Sequence, residues 1–181
     1  GANEDSLQWI TATDWEYKTT FFVDKETLRK KYIELNFEGL DTYASVFLND
    51  SLILETNNAF REFSVDVKYA LKIENELKIS FERTSIPEEN EKAKLNYQLP
   101  EGNRIFTRKA QFQYGWDWGP KLNTSGIWKD VSINAWDDLK FENIYIKQLE
   151  INKKKAILSI EITIESPSDK NVNLFTRINR E

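Results

Sequence analysis

Three residue types are missing from this 181-residue chain: it has no His, no Cys and no Met. Without an imidazole or a thiolate there can be no Ser-His-Asp triad, no Cys nucleophile, no His/Cys zinc site and no haem ligation. Chemistry must come from carboxylates, Lys, Tyr and hydroxyls, and no metal or cofactor is expected. Disulfides cannot indicate a compartment, because a cysteine-free chain suits either side of a membrane. No apolar run approaches the roughly 18 residues of a spanning helix. Dense positive charge is lacking too: the net charge is −5 and the pI about 5.1, which argues against nucleic acid as a partner. The basic run Lys153-Lys154-Lys155 lies between two alternating apolar stretches and is expected to be a solvated hairpin tip. Gly1-Ala2-Asn3 has no initiating Met and reads as a cloning remnant or a processed end, so a signal peptide would not be visible.

What is abundant is aromatic side chain, 13% of the residues with 6 Trp, set in a period-2 pattern. Alternation marks strands at Glu16 to Val23, Lys31 to Phe37, Thr42 to Leu48, Ser51 to Leu54, Phe60 to Val67 and Asn75 to Phe81. Asn49-Asp50 between two of them is a two-residue hairpin signal, since both residues tolerate positive φ. Asp24 can cap a short helix over Lys25 to Lys30. Ser85 with Glu88 has capping-box spacing ahead of Glu89 to Leu95. The alternation stops from Thr84 to Asn103, a long connection that is either a surface excursion or a binding loop. It resumes at Ile105 to Phe112 and at Ile127 to Ile133. Past Trp136 come three more stretches: Phe141 to Ile151, Ala156 to Ile164 and Val172 to Ile178. The fold class is therefore all-β, a jelly-roll sandwich over residues 1–137. Residues 138–181 supply the first strands of an incomplete immunoglobulin-like sandwich, because three strands cannot close a core that takes about seven. On this reading the chain is a fragment.

Four of the six Trp lie between Trp116 and Trp136. Trp128, alternating with Ile127 and Val131, reads as a core residue and Trp136 as a junction residue. Trp116 and Trp118 differ: they flank Asp117 and are bracketed by Gly115 and by Gly119-Pro120, so they sit in a turn. Such a loop can present an indole plane beside a carboxylate. That combination suits a pyranose, whose C–H face packs on an indole and whose rim hydroxyls donate to carboxylate oxygens. From the residues alone, a sugar-binding loop and a purely structural loop both stay open.

Phe106-Thr107-Arg108-Lys109-Ala110-Gln111, Tyr114-Gly115-Trp116-Asp117-Trp118-Gly119-Pro120 and Thr124-Ser125-Gly126-Ile127-Trp128-Lys129-Asp130-Val131 together resemble the N-terminal sugar-binding domain of β-mannosidases in glycoside hydrolase family 2. Asp14-Trp15-Glu16-Tyr17, Phe37 to Ala44 and Asn57 to Arg61 add matches in the same order. The resemblance implies a parent enzyme with a jelly-roll domain, an immunoglobulin-like domain and a (β/α)8 barrel. The barrel would carry both catalytic Glu residues, so no catalytic residue is expected in this chain and the chain alone should be inactive. It further implies that Asp117 accepts a hydroxyl of a terminal β-mannoside or manno-oligosaccharide, with Trp116 and Trp118 beside it. Arg108, Lys109 and Gln111 are further substrate-binding candidates, as orienting or interface residues, and the parent's own barrel would be the partner domain. A free-standing carbohydrate-binding module, a domain of a β-galactosidase- or β-glucuronidase-type enzyme, and a structural interaction domain are the alternatives. The wealth of Ile, Asn and Lys hints at a bacterial source, periplasmic or cytoplasmic.

Overall fold

The computed structural model describes residues 3–98, 100 and 102–177. It divides into two compact units, Gly1–Ala135 and Trp136–Glu181. The first opens with a short helix α1 (Asn3–Leu7), then β1 (Trp15–Phe22) and helix α2 (Lys25–Arg29). Strands β2 (Tyr32–Phe37), β3 (Leu40–Asp41), β4 (Tyr43–Leu48), β5 (Ser51–Asn57), β6 (Phe63–Asp66) and β7 (Glu74–Glu82) follow. Helix α3 (Ser85–Ala93) leads to two 3-10 turns (Arg104–Phe106 and Gln111–Tyr114), then β8 (Gly126–Ile127) and β9 (Val131–Trp136).

One antiparallel sheet has the order β1-β7-β4-β5, a second has β6-β2-β9, and β3 pairs with β8. Strands β2, β4 and β7 alternate strictly between buried and half-exposed positions, as one-sided burial at period 2 demands. Their inward residues meet in one core: Ile33, Leu35 and Phe37 from β2, Val46 and Leu48 from β4, Ile79 and Phe81 from β7. Each such side chain contributes about 1.5–3 kcal/mol by leaving water. The result is an all-β sandwich.

Local signals act as their chemistry dictates. Asn49 and Asp50 turn the β4–β5 hairpin at φ 50° and 66°. The Asn49 side chain adds bonds from Nδ2 to the Ala70 carbonyl and Asn75 Oδ1, and accepts from the Glu76 N–H. Asp24 caps α2, accepting from the Thr27 N–H at 2.8 Å. Those backbone bonds favour the ionised carboxylate and hold its pKa below the usual aspartate value.

Four expectations need correction. Ile105 to Phe112 forms no strand; the segment is two 3-10 turns joined by a link whose backbone makes an isolated bridge from Arg108 to Asn58. Helix α3 starts at Ser85 without a side-chain cap, and Glu88 turns inward to be buried. Ile127 to Ile133 is broken into β8 and β9 by the Trp128–Asp130 corner, so Trp128 leaves the core and is 51% exposed. Val172 to Arg177 lies outside any strand, and Ile178 is outside the described residues.

In the second unit, β10 (Lys140–Ile151) and β11 (Ala156–Glu165) form a two-stranded antiparallel ribbon. Asn152–Lys155 makes its turn, the Asn152 N–H donating to the Lys155 carbonyl at 2.9 Å, which places the basic run at the hairpin tip. Ile144 opposes Ile162 and Ile146 opposes Ile160, so one face of the ribbon is apolar. Tyr145 opposite Glu161 and Lys147 opposite Ser159 make the other face largely polar.

Candidate functional site

The segment after β7 turns away from the sheets and builds the site. Gly115 sits at φ 84°, and a Cβ there would lie 3.2 Å from Lys121 Cβ, so only glycine lets the two arms of the following loop approach. Trp116 and Gly119 then exchange both backbone hydrogen bonds at 3.1 Å. This leaves Asp117 and Trp118 as the tip of a two-residue turn. The indoles of Trp116 and Trp118 stand edge to face, centroids 6.0 Å apart at 73°, a favoured aromatic geometry. They are 60% and 85% exposed.

The loop separates two open depressions. On one side Ile105, Phe112, Trp116, Trp118 and Leu122, with Gln111, line an apolar hollow of about 810 Å³. On the other side Asp117 joins the same two indoles and Glu4 around a more polar hollow of about 640 Å³. A carboxylate next to an exposed indole face is thus realised. The pair can take a ring with one apolar face and several hydroxyls.

The remaining sequence candidates divide. Arg108 is exposed, and its backbone carbonyl accepts from the Ala59 N–H at 2.8 Å. Gln111 donates through Nε2 to the carbonyls of Arg104, Thr107 and Lys109 at 3.3–3.4 Å, holding the link between the two 3-10 turns. Lys109 is only 1% exposed and meets no surface ligand. Its Nζ lies 3.3 Å from Asp41 Oδ1 and donates to Asn123 Oδ1 at 2.6 Å and to the Thr124 carbonyl at 2.5 Å. Burial lowers the pKa of this ammonium below the usual lysine value, and the Asp41 carboxylate partly opposes that fall.

Sequence reasoning missed several members of this interior. Gln113 donates through Nε2 to Asp41 Oδ2 at 3.0 Å and accepts at Oε1 from the Thr124 N–H at 3.1 Å. Glu88 is buried and accepts through Oε1 from the Tyr114 hydroxyl and, at 2.8 Å, from the Thr107 hydroxyl. Burial, then the Glu88 carboxylate, raise the Tyr114 phenol above the usual tyrosine value. The Ser85/Glu88 spacing signalled an acid near a helix start, but nothing local shows that this acid turns inward. Among the described residues, no group of three or more carboxylates gathers to hold a metal ion. No helix among them is long and apolar enough to cross a membrane.

A family model described as glycosyl hydrolase 2 galactose-binding domain-like matches residues 1–129. Beta-mannosidase B of Thermothelomyces thermophilus is 33% identical over 94% of this chain and 20% of that protein. Beta-mannosidase of Rattus norvegicus is 31% identical over 94% of this chain and 21% of its own length. Among solved structures, Beta-D-Mannosidase from Dictyoglomus thermophilum superposes with a TM-score of 0.83 at 38% identity, over 92% of this chain and 21% of that one. A Bifidobacterium dentium beta-glucuronidase shares the fold, at a TM-score of 0.56 and 17% identity over 84% of this chain and 27% of that one. The chain spans about a fifth of the length of its curated relatives.

Proposed function

The chain belongs to the glycosyl hydrolase 2 galactose-binding domain-like family, and from that membership we propose that it serves as the non-catalytic N-terminal part of a retaining β-mannosidase. In that enzyme the Trp116–Pro120 loop would line the pocket for a terminal β-D-mannoside. Asp117 accepts a sugar hydroxyl, Trp116 offers its indole as the adjoining wall, and Trp118 stands beside them.

The observation that carries this reading is the tip of the loop. A carboxylate and two indoles stand exposed on a turn whose backbone is fixed by Gly115 and by two reciprocal hydrogen bonds. A core or a simple linker has no use for such an exposure, whereas a pyranose uses both groups at once. The similarity to β-mannosidases across nearly the whole chain supports mannose as the sugar.

Retaining hydrolysis needs two carboxyl groups about 5–5.5 Å apart. Here Asp41 is paired with Lys109, and Glu88 is taken up by Thr107 and Tyr114. The hydrolytic pair is therefore expected in a catalytic domain outside this chain. Residues 138–181 fit the opening strands of an immunoglobulin-like sandwich. The chain alone should release no product from an aryl β-mannoside.

Replacing Asp117 in the complete enzyme tests the assignment. A hydrogen bond to a charged group is worth about 1.5–3 kcal/mol, so Asp117→Ala should lower kcat/KM by roughly 10- to 150-fold. An unchanged kcat/KM in a variant with native thermal stability would refute the role of Asp117.

A further inference from the structure

Among the described residues, the hydrogen bonds that tie the Trp116–Pro120 loop to the rest of its unit lie at its two feet. The leaving foot is Gln113–Tyr114, anchored by Gln113 on Asp41 and by Tyr114 on Glu88. The returning foot is Lys121–Thr124. The N-terminal segment holds its outer side: Glu4 accepts from the Lys121 N–H at 2.6 Å, Gln8 donates to the Lys121 carbonyl at 2.9 Å, and Thr11 donates to the Asn123 carbonyl at 2.9 Å.

A buried pair, Lys109 with Asp41, joins the two feet from beneath: Lys109 holds the returning foot, and Asp41 receives both Lys109 and Gln113 of the leaving foot. Lys109 precedes the loop in sequence, and all three of its ammonium donors are used inside: on Asp41, on Asn123 Oδ1 and on the Thr124 carbonyl. Gln113 closes the circuit, bonding Asp41 with one end of its amide and the Thr124 N–H with the other. Asp41 sits on β3, whose register with β8 sets Asp41 opposite Gly126, so the circuit is referenced to the sandwich. A buried ion pair is a poor source of stability, since apolar side chains of the same volume usually serve as well or better. What it does supply is direction: a saturated charged network tolerates one arrangement of its partners.

We propose that Lys109, paired with Asp41, is a positioning residue that clasps the two feet of the Trp116–Pro120 loop and so fixes where Asp117 and the Trp116 indole stand. Lys109 touches no sugar and acts through the loop. The functional half of this inference rests on the proposed sugar contact; the structural half does not.

The test uses this chain labelled with 5-fluorotryptophan and the complete enzyme carrying the same substitutions. The variant is the neutral pair Asp41→Asn with Lys109→Met, which removes the clasp without leaving a lone buried charge. Fluorine NMR of the chain should show the Trp116 and Trp118 resonances shifting and narrowing toward the solvent-averaged position while Trp9 and Trp15 keep theirs. In the complete enzyme kcat/KM on an aryl β-mannoside should fall at least 10-fold at unchanged thermal stability. Unmoved Trp116 and Trp118 resonances overturn the clasp, as does an equal loss of order at all the indoles. If the resonances move but kcat/KM holds, the functional half is overturned. If Asp117→Ala also leaves kcat/KM intact, the fault lies with the sugar contact and not with the clasp. Should the pair variant fail to fold, Asn123→Ala, which removes one of the two holds of the Lys109 ammonium on the returning foot, decides on the same readouts.

Discussion

Gly39, between β2 and β3, sits directly beneath the indole of Trp128, and adding one methyl there should be felt well beyond the site itself. A Cβ on residue 39 would stand 2.5 Å from Trp128 Nε1, 2.7 Å from Cε2 and 3.0 Å from Cδ1. Ordinary contact begins near 3.4 Å, so the indole must retreat by about 1 Å, which is the scale of overpacking that costs about 1–3 kcal/mol. The retreat also breaks the bond from Trp128 Nε1 to the Ala59 carbonyl, now 3.0 Å long, worth about 1 kcal/mol net. Gly39→Ala should therefore destabilise the first unit by about 2–4 kcal/mol, measured by urea unfolding followed by circular dichroism. The decisive comparison is a double-mutant cycle with Trp128→Ala. Without the indole the added methyl meets little, and the cost of Gly39→Ala should fall to a few tenths of a kcal/mol. An equal cost in both backgrounds would refute the steric argument and point to a backbone effect instead.

Two further perturbations separate features that look alike in sequence. At the β4–β5 turn, Asp50→Gly relieves a positive-φ residue and should be neutral or stabilising by up to about 1 kcal/mol. Asn49→Gly keeps the turn but deletes three side-chain bonds and should cost about 2–3 kcal/mol in the same urea assay; equal effects at the two positions would contradict this. In alkali, the Tyr114 phenol has a folded pKa above its unfolded value of about 10, so the folded state holds its proton longer. Its stabilising contribution is complete below pH 10 and is lost as pH rises toward the folded pKa. Burial raises Tyr43 as well, so ultraviolet titration should show two late-ionising phenols, of which Tyr114→Phe removes the later; an unchanged late titration in that variant would sink the assignment.

The strands that line the core were legible because one-sided burial writes itself into the chain. Ile33, Leu35 and Phe37 alternate with polar neighbours, as do Leu77, Ile79 and Phe81, while Val46 and Leu48 alternate with Ser45, Phe47 and Asn49. The Asn49-Asp50 turn and the Asp24 cap were legible for the same reason, since each satisfies backbone groups within a few residues of itself. Ile105 to Phe112 misled because its alternation mimics a strand, yet no neighbouring strand pairs with it and the backbone closes into 3-10 turns. Lys109 was visible as a residue of interest, but its burial was not. A lysine's partners, Asp41 on a distant strand and Asn123 beyond the loop, leave no local signature. Trp128 misled in the opposite sense: its size suggested the core, while its use is to cover Gly39 and hold Ala59 from the rim. The exposed Trp-Asp-Trp tip was legible because the glycines that free its backbone are themselves in the sequence.

The ribbon of β10 and β11 carries a consequence in time. Its strands are joined by a four-residue turn, so its contacts are local and can form within about 1–10 μs. A sheet assembled from distant strands, such as β1-β7-β4-β5, must first close long loops and is slower. The ribbon therefore reaches its paired form early, with a face of Ile144, Ile146, Ile160 and Ile162 still open to water. During that interval it is the natural nucleus for the rest of its unit, and equally the natural point for another strand to add on and start an aggregate. Which of the two follows depends on how soon a cover arrives. Conditions that slow chain association, such as low concentration and low temperature during refolding, should favour the first.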